Sequence, residues 1–462
     1  TRASIMNRQI SAMSTARSVN RRIRPCRLSS VATSRPGVYA CGAFTGPKDI
    51  PQSVIEASAA ACAATENLAA ARHSRTAAMV PPPQKDVRRQ APRIGVFVCN
   101  CGINIGGVVD VPAVAEYAKM LSNVVYVEEN LFTCSQDTQD KITAVIKEKG
   151  LNRIVIAACT PRTHEALFQE TLINAGLNKY LLEMANIRNH DSWVHANNPD
   201  AATQKAKDLV RMAVAKSSLL SPLQQTELPI THCALVVGGG VAGMTAALAL
   251  ARQRYAVHIV ERSDRLGGNA RQLHRTYRGE DVSAFVDELI EAVKSDDRIR
   301  IHLDTTIANV SGFIGNFKTD LARHSASETI EHGVAILATG AKEHQTDQYL
   351  YGQHPAVVTQ LELDQLFKQD DPRLKQASHV VFIQCVGSRE PDRPYCSKVC
   401  CTHSVKSALQ FKDQNPDVNV YVLYRDIRTY GKREDIYSEA RARGVLFFRY
   451  DPDYKPKVKA NE

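Results

Sequence analysis

Two kinds of residue in this chain are spaced so that they could do chemistry: the glycines of VVGGGVAG, and cysteines that stand near the ends of apolar runs. Gly238, Gly240 and Gly243 follow ALVV and open the helix-like stretch VAGMTAALALARQR. In a dinucleotide turn the first glycine makes the tight bend, the second lets the backbone approach a pyrophosphate, and the third lets the helix pack on the strand. The phosphates then rest on the helix N-terminus. Glu261 ends the next apolar run, about twenty residues on, where a carboxylate can hydrogen-bond a ribose hydroxyl. Residues 233–251 carry no charge and also fit a membrane span. Three successive glycines make a poor helix centre, however, and the run resolves into two short elements, so no transmembrane segment is expected.

The cysteines form two groups. Cys99, Cys101, Cys134 and Cys159 each close or follow an apolar run, and Cys385, Cys396, Cys400 and Cys401 crowd into CVGSREPDRPYCSKVCC, with His403 next. Four thiols in one loop far exceed the background frequency of cysteine, and soft thiolates select iron–sulfur clusters or zinc. In the first group a metal or iron–sulfur site competes with an ordinary role as small buried residues. No secretory signal is visible, so twelve cysteines favour metal or redox work in a reducing, cytoplasmic setting over a disulfide framework.

The elements that must position these groups read as α/β. From Arg93 to about Leu220, strands (RIGVFVC, VVYVEE, RIVIAAC, YLLEMANI) alternate with helices near 111–121, 135–149, 164–175 and 200–218, the pattern of a small parallel domain over 93–230. Ligands of such sheets bind outside the carboxyl ends of the strands, so the first four thiols can converge although far apart in sequence. A second α/β domain, 231–378, holds the glycine turn. After it come LGGN, where Gly267 and Gly268 let backbone lie along a cofactor and Asn269 can donate to it, and EHGVAILATGA, ending in Thr339 and Gly340 at another carboxyl edge. Two successive glycine sites suit a long dinucleotide such as FAD. From 379 to 462 the pattern restarts, strand HVVFIQCVGS, helix THSVKSALQFKDQ, strand NVYVLYRD, but the turn holds cysteines where a nucleotide site would hold glycines. Near the N-terminus, 36–72 reads as a strand, a glycine turn (GVYACGAFTGPKDIP) and an Ala-rich helix, followed by a linker at 73–92.

The net charge of +10 suggests nucleic acid until it is located: residues 1–35 hold eight arginines and no acid, which leaves +2 for the rest. Basic patches interleaved with aromatics are absent beyond that tail, so nucleic-acid binding is not expected. The tail itself reads as disordered, with a targeting segment as the alternative.

Over about 93–457, the motifs VCNCGINIGGVVDVP, LFTCSQDTQDKI, ACTPRTHEALFQETL, VVGGGVAGMTAALALA and FIQCVGSREPDRPYCSKVCCTHSVKSAL resemble the A subunit of CoB–CoM heterodisulfide reductase and its bacterial relatives. The resemblance implies a thioredoxin-reductase-like flavoprotein core with a Rossmann-like subdomain. Such a core passes electrons between FAD and iron–sulfur clusters, with other redox subunits of a heterodisulfide-reductase-like complex as partners. It implies that the GGGVAG turn, Glu261 and LGGN hold FAD and that Cys385, Cys396, Cys400 and Cys401 hold a [4Fe-4S] cluster. The chain departs from the family in lacking CxxCxxC ferredoxin runs, and its GVYACGAFTGPKDIP turn lies near the N-terminus instead of closing the flavin core. That leaves two readings, the tail of a preceding flavin module or a permuted fold. The alternative functions are an NAD(P)H-dependent disulfide reductase, which a CxxC beside the flavin would favour and this chain lacks, and a zinc-stapled scaffold.

Overall fold

The computed structural model describes residues 31–77, 80–324 and 326–460, so the expectations for most of the basic tail lie outside the described residues. The chain divides into two compact units, 75–228 and a second made of the preceding segment together with 229–462.

The first element is α1 (Ile50–Leu68), entered through a 3-10 turn at Gly42–Thr45. Asp49 caps it by accepting from Gln52 N at 2.8 Å, and Pro51 sits in its first turn, where the missing N–H costs nothing. The strand expected just before it does not form: Tyr39 makes only an isolated bridge with Ala32, because Gly37 bends the backbone at φ +76°.

The 75–228 unit alternates β1 (Ile94–Cys99), α2 (Val111–Lys119), β2 (Val124–Asn130), α3 (Gln136–Glu148), β3 (Arg153–Ala158), α4 (Pro161–Asn174), β4 (Leu182–Asn186) and α5 (Pro199–Ser218). The strands are parallel in the order β2-β1-β3-β4. β1 and β3 are buried along their whole length, as central strands covered on both faces must be. Register sets Cys99 opposite Asn130, and Ala158 opposite Asn186, so the loops that follow all four strands leave from one edge.

In the other unit β5 (Cys233–Val237), α6 (Val241–Arg252), β6 (Ala256–Val260), α7 (Val282–Lys294) and β7 (Ile299–His302) form one wing. The antiparallel strands β8 (Thr306–Phe313), β9 (Asn316–Arg323) and β10 (Ala326–His332) intervene before β11 (Val334–Leu337) returns beside β5. The parallel order β11-β5-β6-β7 reverses direction between β5 and β11, which makes their carboxyl ends the switch point where open sheets bind ligands. Val282, Val286, Ile290 and Val293 of α7 repeat at helical spacing and bury one face. After α8 (Gln360–Lys368) and α9 (Pro372–Gln376), a smaller parallel sheet of β12 (His379–Ile383), β13 (Asn419–Tyr424) and β14 (Leu446–Arg449) carries α10 (Cys400–Gln414) and α11 (Glu434–Ala442). α10 begins at Cys400, earlier than its sequence pattern suggests, so the last two thiols of the loop lie in its first turn.

Candidate functional site

At the β5–β11 switch point the glycines divide their work sharply. A Cβ on Gly238, where φ is +112°, would stand 2.3 Å from Ala338 O, and one on Gly243 would stand 1.9 Å from Gly238 O. Those two are required by the fold itself. Gly240 is different, since a Cβ there would meet nothing within 4 Å, so its surface is open to a ligand at the N-terminus of α6. Glu261 Oε2 accepts from Gly239 N at 2.7 Å and Oε1 accepts from Ser263 N at 3.0 Å. Burial works to raise the Glu261 pKa, but the hydrogen bonds from Ser263 and Gly239 outweigh it and hold the carboxyl below its ordinary value. Gly267 N donates to Gly239 O at 2.8 Å, and Gly268 approaches so closely that an added Cβ would lie 3.3 Å from Gly240 Cα. Gly340 (φ +63°) is open like Gly240 and follows Thr339 at the end of β11. Asn269 Nδ2 donates one N–H to Ala341 O at 2.8 Å, which ties the LGGN turn to the β11 exit and leaves its second N–H.

In the β12–α10 turn, Cys385 sits at φ +63° and leads toward the first turn of α10. Cys401 Sγ donates to Asp426 O at 3.7 Å; the adjacent Cys400 and Cys401 thiols are coupled, so that the Cys400 pKa is pulled down and the Cys401 pKa driven up, and the free amides of the helix start reinforce the Cys400 thiolate. Burial pushes the Cys385 thiol up, and the Cys400 charge adds to this, while Arg389 and Arg425 oppose it. Arg389 Nη1 and Arg425 Nε are buried without a hydrogen-bond partner. Cys396 Sγ accepts from Lys398 N at 3.3 Å. His403 turns away to Asp364, its Nε2 3.2 Å from Oδ1, beside Lys406 Nζ at 2.7 Å.

In the 75–228 unit, Cys99 Sγ accepts from Thr133 N at 3.4 Å, and Arg188 Nη1 stands 3.9 Å from Cys101 Sγ. Arg188 is held there by stacking on Trp193, 4.8 Å from the ring centroid. Burial raises the pKa of both Cys134 and Cys159; Cys134 feels the charges of Cys99 and Cys101, Cys159 those of Cys134, Cys99 and Cys101, and Arg188 partly offsets them. All four thiols and one guanidinium therefore share one strand edge. Beneath them a π-helix at Arg188–Ser192 carries Asp191, fully buried with both carboxylate oxygens unpartnered. Burial pushes its pKa up to about 6. The native state then holds a proton that the unfolded chain has lost between about pH 4 and 6, so stability falls as pH rises through that window. Asp191→Asn is expected to stabilise the protein at pH 8 by about 2–3 kcal/mol and to change little at pH 3.5, read as thermal midpoints at the two pH values.

Among the described residues no three His, Cys, Asp or Glu side chains stand close enough to grip a single metal ion. Cys385, Cys400 and Cys401 feel one another's charges, as do the four thiols of the 75–228 unit, whereas the contact of Cys396 is with Lys398 N and not with another thiol. The donors of both sets nevertheless fit an anionic iron–sulfur group: soft sulfur, a helix N-terminus at one set, and at both sets guanidinium groups facing the thiols, two of those in the β12–α10 turn with an orphaned N–H. Sequence reasoning misses Arg188, Arg389, Arg425 and Asp191. A basic residue immediately after β4, at the same edge as the cysteines, is the available signal for the first. No helix among the described residues is long and apolar enough to cross a membrane.

Residues 236–286 match the family model described as an NAD(P)-binding Rossmann-like domain. A thioredoxin reductase from Lactococcus lactis, 15% identical over 48% of this chain and 67% of its own, superposes with a TM-score of only 0.33, so the α/β assignment rests on strand order. Among curated proteins, the A subunit of the H(2):CoB-CoM heterodisulfide,ferredoxin reductase of Methanothermobacter marburgensis is 36% identical over 80% of this chain and 70% of its own length. The second iron-sulfur A subunit of the CoB–CoM heterodisulfide reductase of Methanopyrus kandleri is 34% identical over 79% and 70%. At that identity over most of both sequences, the chain belongs to the oxidoreductase family formed by the A subunits of CoB–CoM heterodisulfide reductases.

Proposed function

We propose that this chain is an electron-transfer flavoprotein subunit that holds FAD at the β5–β11 switch point and iron–sulfur centres at its two cysteine sets. The observation that carries the reading is the β12–α10 turn, where thiols and guanidinium groups occupy the place of a nucleotide-binding turn. Gly240 and Gly340 leave room for the dinucleotide, the start of α6 faces its phosphates, and Glu261 stays ionised to accept from a ribose hydroxyl. Bound FAD would supply the exchange between two-electron and one-electron chemistry. Cys385, Cys396, Cys400 and Cys401 are the proposed ligands of a [4Fe-4S] cluster, with Arg389 and Arg425 offsetting its negative charge. Cys99, Cys101, Cys134 and Cys159 are the proposed ligands of a second centre, with Arg188 in the same role. As in relatives named as subunits, other redox subunits are the proposed partners.

Residues 42–72 are proposed to complete the flavin site in this same chain. The C-terminal half of α1 lies against the end of α6, with Cys62 Sγ 3.6 Å from Gln253 Nε2 and Glu66 3.6 Å from Arg252. The turn before α1 lies against Gly431 and Lys432, where a Cβ on Gly431 would stand 2.7 Å from Pro47 O. Lys432 is pushed below its usual pKa by burial and by the neighbouring charges of Arg278 and Lys48, against the pull of Glu56, which pairs with Lys48, and of Asp435. Deleting residues 1–70 is expected to lower flavin retention after desalting; full retention excludes an intrachain role.

The direct test is an absorption spectrum with flavin and iron content after anaerobic purification. Flavin and iron together support the reading; a colourless zinc protein replaces it with a scaffold. Cys134→Ser is expected to lower iron without touching flavin, and unchanged iron would remove the second centre.

A further inference from the structure

A buried line of hydrogen bonds in the 75–228 unit ends on a thiol. Thr133 N donates to Cys99 Sγ at 3.4 Å, and the Thr133 carbonyl accepts in turn from Gln139 Nε2. Gln139 Oε1 accepts from Thr171 Oγ1, which also lies 3.0 Å from Leu167 O. The line therefore runs from α4 through α3 to the loop that joins β2 to α3. Thr133 is fully buried, Thr171 is 3% exposed and Gln139 5%. Gln139 shares the buried face of α3 with Ile142, Val145 and Ile146, where an apolar side chain would leave no polar group to satisfy. Both ends of its amide are used instead, one by Thr171 and one by the carbonyl of the residue before Cys134. One side chain thus fixes both the residue whose amide is aimed at Cys99 Sγ and the peptide bond that carries Cys134.

The same edge holds donors left over. Thr133 Oγ1 and, at the end of β4, Asn186 Nδ2 are buried without a hydrogen-bond partner among the described residues. Asn186 stands opposite Ala158, the residue before Cys159. Buried donors ordinarily find partners, and an anionic, sulfur-rich group beside the thiols would supply them.

We infer that Gln139 and Thr171 are positioning residues that set the reduction potential of a centre held by Cys99, Cys101, Cys134 and Cys159, by keeping the Thr133 amide on Cys99 Sγ. The inference rests on the reading of those four thiols as a redox centre. An N–H aimed at a ligand sulfur stabilises the reduced form, which carries one more negative charge, and so raises the potential. Loss of the Gln139 anchor frees the loop and weakens that bond without removing a ligand.

The test is a redox titration of the full chain, purified anaerobically and followed by electron paramagnetic resonance, in which the signal of this set is the one that Cys134→Ser removes. Gln139→Leu and Thr171→Val are expected to keep their iron and to lower the ratio of reduced to oxidised centre at a fixed potential by about tenfold, a shift of about 59 mV for one electron. Thr171→Ser keeps the hydroxyl and gives up the methyl, so it should match wild type. Hydrogen exchange at the Thr133 amide should be about tenfold faster in the first two variants and unchanged in Thr171→Ser. If Gln139→Leu does not fold, the Thr171 pair decides. An unchanged potential in loaded Thr171→Val overturns the inference. So does a shift in Thr171→Ser as large as that in Thr171→Val, which makes packing of the methyl the cause. Iron content separates these failures from failure of the reading beneath: if Cys134→Ser removes neither iron nor signal, the centre falls and the inference with it, whereas a loaded centre of unchanged potential removes only the roles of Gln139 and Thr171.

Discussion

Cys400→Ser is expected to strip the protein of about four irons while leaving its flavin in place. The effect should be large because Cys400 has the most anion-favouring environment of the loop: the neighbouring Cys401 thiol, Ser397 and the amides that open α10 all lower its pKa. A serine hydroxyl keeps the size but ionises far less readily than a thiol, so the remaining three sulfurs must hold a cluster without their best donor. The substitution lies on the β12–β14 subdomain, and the glycine cradle lies on the β5 sheet, so flavin should be retained. Reduction of the flavin by a chemical donor should persist, and onward transfer to iron should cease. Iron and flavin assays on one sample check both halves. A variant that keeps its iron, or wild type rapidly reduced by NADPH alone, replaces this reading with the nucleotide-dependent reductase.

The second large effect separates two glycines three residues apart. At Gly240 a Cβ meets nothing within 4 Å, so the branch point of Gly240→Val enters open space and folding should be little disturbed. The added atoms fill the space assigned to the pyrophosphate, and overpacking of about 1–3 kcal/mol corresponds to about 10- to 100-fold weaker flavin binding. Gly243→Ala drives a methyl to within 1.9 Å of Gly238 O and should cost stability before it costs binding. Thermal midpoints of the apoproteins and flavin retention after desalting distinguish them. If Gly240→Val loses stability and keeps its flavin, the cradle is structural.

Much of this is readable in order along the chain, for a physical reason. Buried parallel strands such as Ile94–Cys99 and Arg153–Ala158 are nearly unbroken apolar runs, and the cysteines at their ends mark the carboxyl edge of the sheet. The antiparallel hairpins over 306–332 give no such signal, because most side chains of Thr306–Phe313 are exposed and no apolar alternation survives. The start of α10 is hidden since its N-cap is Val399, which makes no side-chain cap, while Ser397 stands two residues too early. Asn269 reads in sequence as a donor to the cofactor; one N–H of its amide goes to Ala341 O, a partner 72 residues away that the sequence does not announce. Arg389 and Arg425 acquire their meaning only when a turn and a strand end bring both beside Cys385. Tertiary placement of that kind leaves no local trace in sequence.

The seat of α1 also fixes an order of events during synthesis. Its side-chain partners on the end of α6 and beyond lie 183 residues downstream for Arg72 and 191 for Cys62. At about 5–20 residues per second a ribosome needs roughly 9–40 s to make that stretch. A single helix of 19 residues is only marginally stable alone in water. The 75–228 unit, continuous in sequence, emerges whole within that interval, while Cys62 and Glu66 of α1 wait for Gln253 and Arg252. The nascent chain therefore carries an unpaired, alanine-rich helix past an already completed unit, and the seat for α1 comes into existence only as residues 241–255 leave the ribosome.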